Sequence, residues 1–245
     1  MQDWEQIIIA NWKMQLNVQE SVKQAKQIKK LVDNNKINAA TKIVVAPSFL
    51  AFSNVAEVLS DSRIILGAQD SFEEDKGAYT GEISLKNLQT LGCKFVILGH
   101  SERRLLGETN DMVNRKAKAV VNHGLIPVIC VGESITVRQE NKSEEFVINQ
   151  VDKALQDINI QDKYKIIIAY EPIWAIGSGH AMDPQTSSQM AKFIKQKYNF
   201  VSVIYGGSAD PDNIHEFTKL EDIEGALVGG ASLDAKTFVE LIKNS

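Results

Sequence analysis

The sequence predicts an α/β protein in which eight strand–helix units close into a parallel (β/α)8 barrel, a single domain over residues 1–245. Three observations carry this reading. Short apolar, β-branched runs recur from one end of the chain to the other. They are continuously apolar, as in a parallel sheet covered on both faces, and segments of helical spacing lie between them. The repeat averages about 31 residues, the size of a strand plus its crossover helix.

The elements follow in order. Ile7–Ala10 opens the series, and Val18–Val32 follows with Val18, Val22, Ala25, Ile28 and Val32 on one helical face. Ile43–Ala46, Ile64–Ala68 and Phe95–Leu98 are the next three strands. Met112–Val121 then carries a stripe of Met112, Val113, Lys116, Ala119 and Val120. Leu125–Val131 precedes Ser134 and Ser143-Glu144-Glu145, two helix starts. Ile166–Tyr170 precedes Asp183-Pro184, which places proline in a first helical turn. Val201–Tyr205 and Ala226–Val228 complete eight strands. No Pro/Ser-rich linker divides the chain, and closure removes the exposed edges that an open eight-stranded sheet would carry.

Composition narrows the function classes. Hydrophobic residues make up 44% and charged residues 24%, which excludes disordered and fibrous architectures. The balance of 27 basic and 31 acidic residues leaves a net charge of −4, so no general field draws in nucleic acid or an anionic membrane. Neither is expected as a partner. Cys93 and Cys130 lack a CxxC arrangement and read as reduced, buried thiols of a cytoplasmic protein. No basic leader precedes a long apolar stretch, and no later run approaches a membrane span.

In a barrel of this kind the reacting groups sit at the C-terminal strand ends. Asn11-Trp12-Lys13 follows the first strand, Gly99-His100-Ser101-Glu102-Arg103 the fourth, and Tyr170-Glu171-Pro172 the sixth. Gly206-Gly207-Ser208 follows the seventh and Gly229-Gly230 the eighth. Lys13 and Asn11 suit an anion beside a polarised oxygen. A short helix beginning at Ser101 would disfavour the imidazolium of His100 and leave a neutral donor. Glu171, fixed in extended geometry by Pro172, is a candidate general base, with a salt-bridged strand-end carboxylate as the alternative. Glycine pairs after the last two strands, with Ser208 and Ser178, suit a phosphate cradle. His123, His180 and His215 read as surface or capping residues.

Six ordered segments resemble the triosephosphate isomerase family: Ala10–Met14, Gly77–Ser84, Leu98–Arg104, Ala169–Gly177, Tyr205–Ser208 and Leu227–Leu233. The resemblance runs from Ile9 to the C-terminal helix. It implies interconversion of dihydroxyacetone phosphate and glyceraldehyde 3-phosphate through an enediolate, in glycolysis and gluconeogenesis, without metal or organic cofactor. Glu171 would be the base, with His100 and Lys13 as electrophiles. Asn11 would orient Lys13, and Glu102 would pair with it. Gly177, Ser208, Gly229 and Gly230 would bind phosphate, and Trp174 would travel with a lid spanning Pro172–Met182. The segment Gly77–Ser84, with Thr80 at its contact, implies a homodimer. Two departures stand out: Gly177-Ser178-Gly179-His180 where the family carries a Gly-Thr-Gly-Lys type segment, and Leu85 where proline is common. A Schiff-base aldolase barrel would want lysine where Glu171 stands, and an inert scaffold would need none of the loaded strand ends.

Overall fold

A computed structural model describes residues 4–158, 166–175 and 182–245. Eight strands lie in the described residues: β1 Gln6–Asn11, β2 Thr41–Ala46, β3 Ile65–Ala68, β4 Cys93–Leu98, β5 Ile126–Val131, β6 Ile166–Tyr170, β7 Val201–Tyr205 and β8 Gly225–Val228. They pair in sequence order, all parallel, and β8 returns to β1 through Ile7↔Gly225 to Ala10↔Val228, closing the barrel. Each run read from the sequence is a strand, with ends displaced by at most two residues.

The helices of the described residues are α1 Val18–Asn34, α2 Phe52–Leu59, α3 Leu85–Thr90, α4 Ser101–Leu105, α5 Asn110–Asn122, α6 Ile135–Gln139, α7 Ser143–Leu155, α8 Pro184–Lys197, α9 Ile214–Thr218 and α10 Ala235–Asn244. β4 and β5 are each followed by two helices rather than one. Local chemistry sets the starts. Asn17 and Glu20 form a reciprocal capping box on α1, and Ser134 caps α6. Asp183 accepts from Thr186 N–H at 2.8 Å, with Pro184 in the first turn of α8. No described helix is long and apolar enough to cross a membrane.

Two helix faces depart from their expected stripes. On α1 the buried residues are Ser21, Gln24, Ala25, Ile28 and Val32, so the face is turned toward two polar side chains and Val18 and Val22 are only partly covered. On α5 the buried face is Val113, Lys116, Ala117, Val120 and Val121. Lys116 belongs to that stripe because it is paired, as described below.

The core has two layers, and strand parity decides which residue enters which. Ile7, Ile9, Val44, Ala46, Phe95, Ile97, Val128, Cys130, Ile167, Ala169, Ile204 and Leu227 fill the barrel interior, plugged near the strand N-termini by Trp4. The alternate residues, such as Ile8, Ala10, Ile43 and Val45, pack against the helices. Extending the inward rows by one step places Asn11, Gly99, Gly132, Glu171, Gly206 and Gly229 around the mouth. The fold thus converts a period of two into a ring of functional positions. Both cysteines are free and buried; burial pushes the Cys93 thiol up to about 12 and the Cys130 thiol well above its ordinary value.

Candidate active site

A cavity of about 330 Å³ opens at the mouth, lined by Asn11, Lys13, His100, Glu171 and the backbone that follows β7 and β8. The structure thus brings together five strand ends that lie far apart in sequence. Gly177, Ser178 and His180 lie outside the described residues.

Lys13 is held in a left-handed backbone conformation, φ 51°, uncommon for a residue with a side chain. Asn11 Oδ1 accepts its N–H at 3.1 Å. Gln69 donates to its carbonyl at 2.9 Å and to Ala46 O at 3.0 Å. These bonds pin the strained residue from both sides, so that Lys13 Nζ meets Glu102 Oε1 at 2.6 Å. Glu102 is half exposed, so this pair is one that an arriving anion can compete with.

His100 caps α4. Its Nδ1 accepts the N–H of Glu102 at 3.2 Å, and a ring nitrogen that accepts a backbone N–H carries no proton of its own. The remaining nitrogen, Nε2, therefore carries the proton of the neutral ring, and it lies 3.3 Å from Glu171 Oε1. That approach is too poorly aligned to make a hydrogen bond.

Glu171 is 2% exposed, and its two oxygens differ. Oε2 accepts the N–H of Ser101 at 3.0 Å, a donor left over at the start of α4. Oε1 is buried without a hydrogen-bond partner, a costly condition for a carboxylate oxygen. No lysine or arginine within salt-bridge distance of Glu171 is seen among the described residues, which removes the strand-end salt bridge as an account of it. Glycines make the space: a Cβ at Gly206 would stand 2.7 Å from Glu171 Cγ, and one at Gly132 would stand 1.7 Å from Glu171 O.

Several supporting residues were not legible as site residues. Glu133, fully buried, accepts from Tyr170 OH at 3.2 and 3.1 Å and from Trp174 Nε1 at 3.1 Å, while Arg138 lies over the Trp174 ring at 4.6 Å. Burial next to that carboxylate raises the Tyr170 phenol. Ser208 Oγ donates to Ala175 O at 3.1 Å, joining the turn after β7 to the segment after β6. Beneath His100, Lys116 Nζ bonds Asp70 at 2.8 and 3.0 Å and also Glu108, and Arg103 reaches Asp70 at 3.0 Å. Glu108 Oε2 accepts Gly99 N–H at 3.0 Å, and Arg104 bridges Gly99 O at 2.7 Å and Cys130 O at 3.1 Å. Two acids, Asp70 and Glu108, thus face three bases, Lys116, Arg103 and Arg104. Burial nonetheless raises the Asp70 carboxyl, opposed by Lys116. Parity along β5 is the signal that could have found Gly132, and Glu133 follows it.

Proton transfer on a small anion is what a buried carboxylate, a neutral imidazole and an ammonium around such a cavity permit, which puts the chain among acid–base enzymes built on the barrel. Comparison with known proteins narrows the class. A family model of triosephosphate isomerase matches residues 6–245. Triosephosphate isomerase of Thermoanaerobacter pseudethanolicus is 44% identical over 246 aligned residues, covering 96% of this chain and 98% of that protein. The enzyme of Dictyoglomus thermophilum is 42% identical, covering 97% and 98%, and that of Mycoplasma mobile 41% identical, covering 98% and 99%. The chain belongs to the triosephosphate isomerase family.

Proposed function

We propose that Glu171 Oε1 is the base of this isomerase and that His100 and Lys13 stabilise the charge it creates. The activity that goes with the family is interconversion of dihydroxyacetone phosphate and glyceraldehyde 3-phosphate. In the ketose direction Glu171 takes a proton from the carbon beside the carbonyl, and the electron pair moves to the carbonyl oxygen. His100 Nε2–H donates to that oxygen, and the Lys13 ammonium holds the developing enediolate. His100 then moves a proton between the two oxygens, and Glu171 returns its proton to the neighbouring carbon. No atom is gained or lost.

The observation that carries the reading is the difference between the two oxygens of Glu171. One is bonded to Ser101 N–H; the other is buried, unpaired and 3.3 Å from the nitrogen of His100 left to donate. The substrate phosphate is assigned to Ser208, Gly229 and Gly230, with Gly177 from the segment outside the described residues. Asn11 orients Lys13, and Glu102 partners it in the free enzyme. A coupled assay on dihydroxyacetone phosphate, with and without EDTA, tests the reaction and its independence of metal. Activity lost on chelation and restored by a divalent cation would contradict it.

We further infer a cytoplasmic homodimer. Support comes from two buried reduced thiols and from one end of the barrel, where the Gly77–Thr80 tip is exposed along with Met14 at 95%, Leu105 at 83% and Leu106 at 80%. These lie in the loops after β1 and β3 and at the C-terminal end of α4. Thr80→Arg should raise the monomer fraction in sedimentation and lower activity together, because the contact braces Asn11 and Lys13. An active wild-type monomer would break that link.

A further inference from the structure

The buried face of α1 is not wholly apolar. Gln24 is 6% exposed, in a layer where an aliphatic side chain would bury more area, and an amide placed there must find a partner. It does so 208 residues along the chain: Gln24 Nε2 donates to Ser232 O at 3.0 Å. Ser232 belongs to the 3-10 turn Gly230–Leu233 that follows β8. The N–H and hydroxyl of Ser232 both return to Gly229 O, at 2.9 and 2.6 Å. The turn is thus closed on its own side by Ser232 and fixed from behind by Gln24.

The cavity side offers no comparable restraint. A Cβ at Gly230 would meet nothing within 4 Å, and one at Gly229 would meet only the end of Lys13, at 3.5 Å. Gly229, Gly230 and Ala231 line the cavity. As the first two N–H groups of a 3-10 turn, those of Gly230 and Ala231 have no partner inside it. Donors on an unpacked turn hold their aim only if something else fixes the peptide planes, and productive geometry tolerates about 0.5 Å.

We propose that Gln24 is a positioning residue for phosphate recognition: its amide holds the Ser232 carbonyl and so keeps the Gly229–Ala231 backbone aimed at the substrate phosphate. The inference rests on the phosphate reading of this turn given above. Gln24 touches no substrate and carries no charge. Its effect is therefore confined to the phosphate-dependent part of catalysis and is independent of pH.

The test compares Gln24→Met with wild type on triose phosphate, on glyceraldehyde, which has the same carbonyl chemistry without the phosphate, and in competitive inhibition by inorganic phosphate. Phosphate inhibition and kcat/KM for triose phosphate should each weaken about three- to tenfold, the span of one neutral hydrogen bond. The loss on glyceraldehyde should be clearly smaller. Ser21→Ala, on the same buried stripe, serves as the packing control and should change neither ratio. Equal losses on both substrates, or undiminished phosphate inhibition, would overturn the proposal. Gln24→Glu keeps the side-chain length but turns an acceptor toward the Ser232 carbonyl, and it decides the question by the same ratio if the Met variant does not fold. A wild-type protein that neither binds phosphate nor prefers triose phosphate to glyceraldehyde would overturn the cradle itself. A wild type with both properties, retained in Gln24→Met, would overturn the role of Gln24 alone.

Discussion

The ends of β4 and β6 stand side by side across β5 and are built on opposite plans. After β4, nearly every polar group is committed. Gly99 is bonded on both its N–H and its carbonyl, by Glu108 and Arg104, and His100 Nδ1 is occupied by Glu102 N–H. After β6, Glu171 has one oxygen tied to Ser101 and one with no hydrogen-bond partner. The difference teaches how the site divides its work. A donor that must meet an oxygen in a fixed direction is held by a rigid scaffold, whereas a base that must take and return a proton keeps an unspent lone pair.

Breaking the β6 side should have the largest effect. Glu171→Gln keeps the shape and the bond to Ser101 but removes the basic oxygen. In steady-state assays kcat should fall by at least the roughly 10²–10⁴-fold that general base catalysis supplies. A near-normal kcat would remove Glu171 from its role.

Breaking the β4 side should cost stability before chemistry. Lys116→Met strips the ammonium from between Asp70 and Glu108, leaving the buried Glu108 carboxylate without its cation and Asp70 with Arg103 alone. A loss of about 3–5 kcal/mol is expected in urea unfolding, as for other buried pairs cut on one side. A change under 1 kcal/mol, on the scale of an exposed pair, would mean that the cluster is solvated.

The smallest effect sharpens the same region. Burial raises the Asp70 carboxyl above its ordinary value of 3.8. Between the unfolded value and the raised folded one, the native state retains a proton that the unfolded chain has lost. Stability from this group is therefore present at low pH and declines as pH rises through that window. Asp70→Asn should remove this negative contribution to the slope of stability against pH on the acid side. An unchanged slope in urea titrations would contradict the direction of the shift.

Much of the architecture was legible because a barrel repeats its signal. Eight apolar runs, caps at Ser134 and Asp183, and loaded strand ends are local features, each interpretable by itself. The (β/α)8 reading and the positions Asn11, Lys13, His100 and Glu171 came from them. What resisted was pairing across the fold. Lys116 sits at helical spacing among apolar residues and gives no sign that Asp70 and Glu108 will neutralise it. Glu133 and Gln24 look like ordinary surface residues, and only tertiary placement turns them inward to Trp174 and Ser232. The α1 stripe was misplaced for the same reason, since an apolar template cannot anticipate a buried amide with a distant carbonyl partner.

The division of labour between the two strand ends is tested most directly by isotope exchange. Dihydroxyacetone phosphate incubated in deuterium oxide with wild type, Glu171→Gln or His100→Gln is followed by NMR, which separates deuterium uptake at the carbon beside the carbonyl from appearance of the isomer. If Glu171 is the base and His100 the fixed donor, Glu171→Gln loses exchange and isomerisation together, while His100→Gln retains more exchange than isomerisation. Deuterium uptake at the wild-type rate in Glu171→Gln would contradict the account.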